Sequence, residues 1–189
     1  MTTQQCIERL AAWIRANVCA DLRYPRALAD GFTDRDDYER ALVTPEVYEG
    51  AMPRDAAEHS IGEPEPRHVV APCVVVTTGE SATISAQSGQ VEQQVRLFVQ
   101  GWEPGNVTRR EDGTLEISPG DDGYRSITSF VDRLVTRLTE SVMPAGIRIV
   151  GDVSYTFADF SKAENWPYFP AIISFNVQYH RYLKPQFEQ

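Results

Sequence analysis

The stretch "PYFPAIISFNVQYH", Pro167 to His180, alternates apolar and polar side chains more regularly than any other part of the chain. Every second position from Phe169 is apolar: Phe169, Ala171, Ile173, Phe175, Val177 and Tyr179. The positions between them are mostly polar: Ile172, Ser174, Asn176, Gln178 and His180. Because successive side chains of a strand point to opposite faces, this pattern predicts a β-strand with one face in the core.

Three further strands are predicted outward from this one. The run from Val69 to Thr78 is apolar and β-branched and ends in the turn signal "TTGE". The stretch "VEQQVRLFVQ", Val91 to Gln100, alternates with its valines and Leu97 on one face. The stretch "GIRIVGDVSYTFAD", Gly146 to Asp159, is the last of these, and seven residues separate it from the opening stretch. A short ribbon is also expected at Thr114 to Ile117. The main strands therefore come in two adjacent pairs.

Two amphipathic helices are predicted, because apolar residues recur at steps of three and four. The first lies in "TQQCIERLAAWIRANVCADL", with Thr2 or Thr3 as N-cap. Its stripe contains Ile7, Leu10, Ala11, Ile14 and Val18. The second lies in "GYRSITSFVDRLVTRLTESV" and ends before Pro144 and Gly146. Its stripe contains Tyr124, Ile127, Phe130, Val131, Leu134, Val135, Leu138 and Val142.

These elements predict an α+β fold in the order α-β-β-α-β-β, with an antiparallel or mixed sheet and both helices on one of its faces. The 189 residues suit a single domain. Residues 21–67 interrupt the pattern with prolines and glycines and are interpreted as a long surface excursion. Within it, a short helix is expected from Thr33 to before Pro45.

The composition excludes some classes of function. A net charge of -9 disfavours a protein that reads nucleic-acid sequence, because phosphate contacts require clustered Lys and Arg. The sequence contains neither a signal-peptide pattern nor eighteen consecutive apolar residues, so the protein is expected in the cytosol where it is made, with no membrane partner.

No motif for catalysis or for a cofactor is recognisable, so neither an enzymatic activity nor a cofactor is predicted. The acidic run "DGFTDRDDYE" fails as a Ca²⁺ loop, because Phe32 occupies its third position. The three cysteines, Cys6, Cys19 and Cys73, are expected to be reduced and structural. The three histidines, His59, His68 and His180, lie far apart in the sequence, and no pattern around them indicates a shared metal site, so none is predicted.

The segment "ENWPYFP" contains the main candidate site: Trp166, Pro167 and Tyr168. One interpretation is that the rings cover the end of the core. The other is a contact with a subunit or partner, because Trp and Tyr are enriched at interface hot spots. Tyr48 and Met52 in the excursion are further candidates for such a contact.

The whole pattern resembles the phage tail terminator, or tail completion, family and its head–tail joining relatives. The resemblance lies in the helix "IERLAAWIRANV", the strands "PCVVVTTGE" and "VEQQVRLFVQGW", the helix "GYRSITSFVDRLVTRLTE" and the closing "PYFPAIISFNVQY". It covers most of the chain except residues 21–67.

The resemblance implies a structural virion protein without an active site, assembled as a ring, commonly a hexamer, at the junction of tail and neck. Its partners would be other copies of itself, the tail tube protein and a neck or head-completion protein. DNA would only pass through the lumen, and the acidic balance of the chain would suit a lumen that repels phosphate. Two alternatives stay open: another connector or minor tail protein, and a small enzyme or ligand-binding domain.

Overall fold

A computed structural model describes residues 1–25, 42–51, 71–103, 106–109, 115–118, 122–158 and 168–181. Within these residues the chain forms two α-helices, one π-helical turn and nine strands. In chain order they are α1 (Thr3–Ile14), the π-helical turn (Arg15–Cys19), β1 (Tyr24–Pro25), β2 (Leu42–Val43), β3 (Glu46–Glu49), β4 (Cys73–Ile84), β5 (Gln90–Trp102), β6 (Asn106–Arg109), β7 (Leu115–Ser118), α2 (Asp122–Glu140), β8 (Ile147–Phe157) and β9 (Tyr168–His180).

Five strands form one mixed sheet in the order β3-β4-β5-β9-β8. Strand β3 runs parallel to β4, and the other neighbours are antiparallel. The pairs β1-β2 and β6-β7 form two small separate ribbons. The predicted α+β class is confirmed in this form, as a mixed five-stranded sheet with two helices.

The opening stretch of alternating residues lies inside this sheet. As β9 it pairs along its whole length with β5, and on its other side with β8. Phe175 lies opposite Val95 and Ile173 lies opposite Leu97, and all four side chains are buried. The apolar positions of the alternating pattern therefore correspond to the buried face of β9.

The core lies between that face and the helices. One cluster of buried side chains combines residues of α1, α2 and the sheet. The helices contribute Cys6, Ile7, Leu10, Ala11, Ile14, Ile127, Phe130, Val131, Leu134 and Leu138. Tyr24 of β1 stacks on Phe130 with ring centroids 4.8 Å apart, which ties the segment after α1 to α2.

The start of α1 is capped as the sequence suggested, with Thr2 as the N-cap. The Gln5 backbone N–H donates to the Thr2 hydroxyl at 3.2 Å, and the Thr2 N–H donates to the Gln5 side chain at 2.9 Å. The Thr3 hydroxyl instead lies 2.9 Å from the Tyr179 hydroxyl at the end of β9, within hydrogen-bond distance. The cap therefore satisfies two backbone donors at the start of the helix, the N–H groups of Thr2 and Gln5. The contact of Thr3 with Tyr179 joins the helix to the sheet.

Two members of the predicted α2 stripe are exposed, and Val135 is partly buried. Val142 is 91% exposed because it follows the last helical residue, Glu140, and no longer repeats the helical period. Tyr124 is 50% exposed in the first turn, where its ring lies 6.2 Å from that of Phe157. The stripe thus covers the core only from Ile127 to Leu138.

The excursion, residues 21–67, departs from its prediction in the parts that the structure describes. Leu42–Val43 is a strand, so the helix expected to reach Pro45 is wrong at its end. Glu46–Glu49 is an edge strand of the main sheet: the Glu46 N–H donates to the Pro72 carbonyl at 3.0 Å, and Gly50 to Val76 at 2.8 Å. These contacts come from the backbone of a distant strand, which local pattern does not reveal.

Candidate interaction surface

The face of the sheet that points away from the core cluster, here called the outer face, carries an apolar row across the strands. The register places Tyr48, Val75, Phe98 and Ile172 side by side on β3, β4, β5 and β9. Val75 is buried, Tyr48 and Phe98 are half-buried, and Ile172 is 43% exposed. The row thus becomes more accessible towards β9.

The part of the outer face that carries Glu92, Arg96 and Asn176 is polar and internally bonded. Arg96 reaches Glu80 at 3.3 Å, and Asn176 donates to Glu92 at 3.0 Å. Arg148 of β8 donates to Gln178 of β9. Because the Glu80 carboxylate is 84% exposed, its ion pair adds little to the stability of the fold. The outer face is therefore divided into an apolar end and a hydrated end.

Two of the five predicted interface residues lie on the outer face. Tyr48 is half-buried, and its hydroxyl donates to Glu46. Tyr168 begins β9 opposite Trp102, and strands β4 and β5 lie between it and Tyr48. The structure thus places both tyrosines on one face without bringing them together. Their role in an interface stays a prediction.

The other predicted interface residues are Trp166, Pro167 and Met52. All three lie outside the described residues.

A second surface was not expected from the sequence: a groove of about 540 Å³ along the exposed side of α2. Val18 and Leu22, both buried, line it from the end of the first helical segment, and Asp21 lies between them in the chain. The lining from α2 comprises Tyr124, Arg125, Thr128, Ser129, Asp132, Arg133, Thr136 and Arg137. We call this surface the arginine groove.

Its three arginines lie on one side of the helix. Arg125, Arg133 and Arg137 are separated by eight and four residues, which corresponds to about 12 and 6 Å along the axis. All three are exposed, and within the described ranges none forms an ion pair. Two aspartates, Asp21 and Asp132, share the lining. The spacing was visible in the sequence, but the opposite wall, about a hundred residues earlier, was not.

An aromatic cluster continues the arginine groove to the edge of the sheet. The centroid of the Phe157 ring lies 6.2 Å from that of Tyr124 and 5.6 Å from that of Tyr155. Tyr155 is 47% exposed. Strand β8, which carries two of these rings, pairs with β9 alone among the described strands. Its ladder is interrupted between Val150 and Ser154, where Gly151 has φ +71°. A bulge of this kind is one way in which proteins protect an edge strand.

The three cysteines are free and buried. Burial raises the pKa of Cys6 to about 11, and the pKa of Cys19 and of Cys73 to about 12. All three thiols therefore carry their protons at neutral pH, and the thiol is the poorly nucleophilic form. They pack as small apolar side chains.

Residues of the types that bind metal ions lie apart from one another in the parts that the structure describes. No group of three or more His, Cys, Asp or Glu residues there is close enough to hold a metal ion. His180 is exposed at the end of β9, and His59 and His68 lie outside the described residues. Neither described helix is long and apolar enough to cross a membrane.

Neither the scan against protein-family models nor the search of curated proteins gave a match for this chain. A functional proposal for the chain therefore rests on its own residues and fold.

Proposed function

We propose that this chain is a structural virion protein, a phage tail terminator, which caps the tail tube as an oligomeric ring and provides the docking surface for the neck. Its partners are then other copies of the chain, six to a ring by analogy with the family it resembles, the tail tube protein and a neck protein. It acts at the junction of tail and neck, after assembly in the host cytoplasm.

The observation that carries the proposal is the accessible end of the apolar row on the outer face. Both helices contribute to one core cluster on the opposite face of the sheet. The row from Tyr48 to Ile172 lies outside that cluster. An apolar row with a hydrated surround is the usual composition of a protein contact.

The acidic balance of the chain supports the same proposal. A net charge of -9 suits a ring through which DNA moves, because attractive phosphate contacts would retard the polymer. The resemblance of its helices and strands to the tail terminator family supports it further.

The test uses the tail tube protein encoded by the same phage. Tubes are grown with and without this chain, and their lengths and ends are examined by electron microscopy. Rings at one end of tubes that have stopped growing are the expected result. Tubes that grow normally with bare ends would overturn the proposal, and binding to the portal side instead would make the chain another head–tail connector.

A pair of variants tests the outer face in the same assay. Ile172→Lys places a charge in the accessible end of the apolar row, and Val142→Lys places the same charge on a residue that is 91% exposed elsewhere. Both should fold. Capping should be lost in Ile172→Lys and retained in Val142→Lys. Equal capping by the two variants would remove the outer face from the contact.

A further inference from the structure

We propose that the arginine groove and its aromatic cluster form the surface through which one copy of this chain binds the next. The inference rests on the ring-forming function proposed above and names the part of the molecule that makes the ring contact. A second copy, binding with acidic side chains, is the occupant of the groove.

The residue types of this surface are those that protein interfaces use. Tyr124 belongs both to the groove lining and to the aromatic cluster, so the two are continuous. Together they present two half-exposed tyrosines, one phenylalanine and three arginines. Aromatic residues and arginine are enriched in interface cores and hot spots, whereas lysine and glutamate are depleted there.

The three arginines of the groove outnumber its two aspartates and form no ion pair within the described residues. A guanidinium group binds a carboxylate through two parallel hydrogen bonds, which makes arginine suited to acidic partners. Arg125, Arg133 and Arg137 form no such pair within the described residues, although they line one groove. The three guanidinium groups can therefore bind carboxylates from outside this part of the chain.

The lining favours a polypeptide over a nucleic acid. Asp21 and Asp132 lie among the arginines, and a phosphate backbone carries a continuous negative charge that both carboxylates would repel. A protein surface, by contrast, can present carboxylates to the arginines and hydroxyl or amide donors to the aspartates. Thr136 adds a hydroxyl group to the groove, whereas the hydroxyls of Thr128 and Ser129 are already bonded to the Tyr124 carbonyl and to the Tyr24 side chain.

Charge complementarity favours a second copy of the same chain. The chain carries 27 acidic and 18 basic residues, so the surface of another copy is predominantly negative. The groove concentrates three of those basic residues on one helix. A basic groove that meets a different, acidic surface of the next copy makes a head-to-tail contact, which generates a ring when the rotation closes.

The experiment measures the mass of the purified chain by sedimentation at low and at physiological salt. The groove variant combines Arg133→Glu with Arg137→Glu. The control combines Arg9→Glu with Arg181→Glu, which makes the same change in charge on exposed residues outside the groove. Thermal unfolding checks that both variants fold, which we expect because the substituted positions are exposed.

We expect the wild type and the control to form oligomers that weaken as salt rises, and the groove variant to associate at least about tenfold more weakly. A wild type that stays monomeric at both salt concentrations, or two variants that associate alike, would overturn the inference. A fluorescent single-stranded oligonucleotide is added as a probe. Binding that the groove variant alone loses would assign the groove to a polyanion and also overturn it.

The outcome is separable from that of the proposed function, because sedimentation needs no tail tube. If the chain forms groove-dependent oligomers that do not cap tubes, the tail terminator function fails and this contact stands. If the groove variant caps tubes as well as the wild type does, the function stands and this contact fails.

Discussion

Gly123 of α2 packs directly against the aromatic ring of Phe169 in β9. A Cβ atom built on Gly123 would overlap the ring edge of Phe169, so the helix approaches the sheet at this point only because residue 123 has no side chain. The contact joins the first turn of α2 to the beginning of β9.

We expect Gly123→Ala to destabilise the fold, although alanine is normally the better helix former by about 1 kcal/mol. Overlap with a buried ring costs typically about 1–3 kcal/mol, and the Phe169 side chain is 8% exposed and enclosed by the core cluster. The measurement is the free energy of unfolding in urea. A more stable Gly123→Ala protein would contradict the close approach.

Two further variants separate overlap from a general effect of alanine. Gly101→Ala is the control, because its Cβ would lie 3.8 Å from the Ile127 Cδ1 atom, an ordinary contact. It should change stability much less. Phe169→Leu combined with Gly123→Ala should recover part of the loss, which a double-mutant cycle measures as coupling between the two sites.

The N-cap of α1 gives a second prediction. Thr2→Ala removes the hydroxyl that accepts the Gln5 N–H, and we expect a loss of about 1 kcal/mol in unfolding free energy. Thr2→Ser keeps that hydroxyl and should stay close to the wild type. If the alanine and serine variants unfold alike, the cap contributes nothing to stability.

Elements with a complete local pattern were predictable from the sequence. The apolar face of β9 and the stripe of α1 each repeat over several periods, and burial of one face follows from the repeat itself. Strand β3 was not predictable, because four residues with glutamate at both ends contain no repeat. Its pairing depends on the exposed edge of β4, which lies far along the chain.

Gln93 is a buried polar residue in β5, and it gives the third prediction. Its amide Nε2 donates to the carbonyl oxygens of Ser81 and Gln94, each at 3.0 Å, and its side chain is 5% exposed. Ser81 lies where the β4 ladder is interrupted, between Thr78 and Ala82. The side chain thus replaces the backbone partners that the bulge removes.

Gln93→Leu should lower the unfolding free energy by about 1–3 kcal/mol, because it leaves these carbonyl groups without the donor. The neighbouring Gln94→Leu is the control. The Gln94 side chain lies on the outer face, where its amide oxygen accepts an exposed hydrogen bond from the Glu80 N–H at 3.2 Å. Gln94→Leu should therefore lower the unfolding free energy by less than Gln93→Leu does. Equal effects would mean that the amide of Gln93 does not support the bulge.

The arginine groove shows why a surface is harder to predict than a strand. The spacing of Arg125, Arg133 and Arg137 is a local pattern, and it places them on one side of α2. The wall formed by Val18 and Leu22 depends on how α1 and α2 pack, and that contact spans about a hundred residues. The prediction of an interface at Trp166 and Tyr168 rests on residue type, which carries no information about the shape of the surface.

The buried thiols predict a loss of stability at alkaline pH. Burial raises the pKa of Cys6 to about 11 and of Cys19 and Cys73 to about 12, whereas an exposed thiol has a pKa of 9.0. Below pH 9 both the folded and the unfolded chain keep these protons, so the contribution to stability is complete. Between pH 9 and the folded-state values only the unfolded chain ionises, and the unfolding free energy falls by up to about 1.4 kcal/mol per pH unit for each thiol.

Tyrosine and lysine residues also titrate in this range, so the decisive quantity is the difference in slope between variants. Cys19→Ala and Cys73→Ala should each show a shallower fall in unfolding free energy between pH 8 and pH 10 than the wild type does. Thiol labelling gives an independent readout: at pH 8 the folded protein should react with a thiol reagent far more slowly than the chain unfolded in urea. Rapid labelling of the folded protein, or slopes identical to that of the wild type, would show that the thiols are accessible and that burial does not hold their protons.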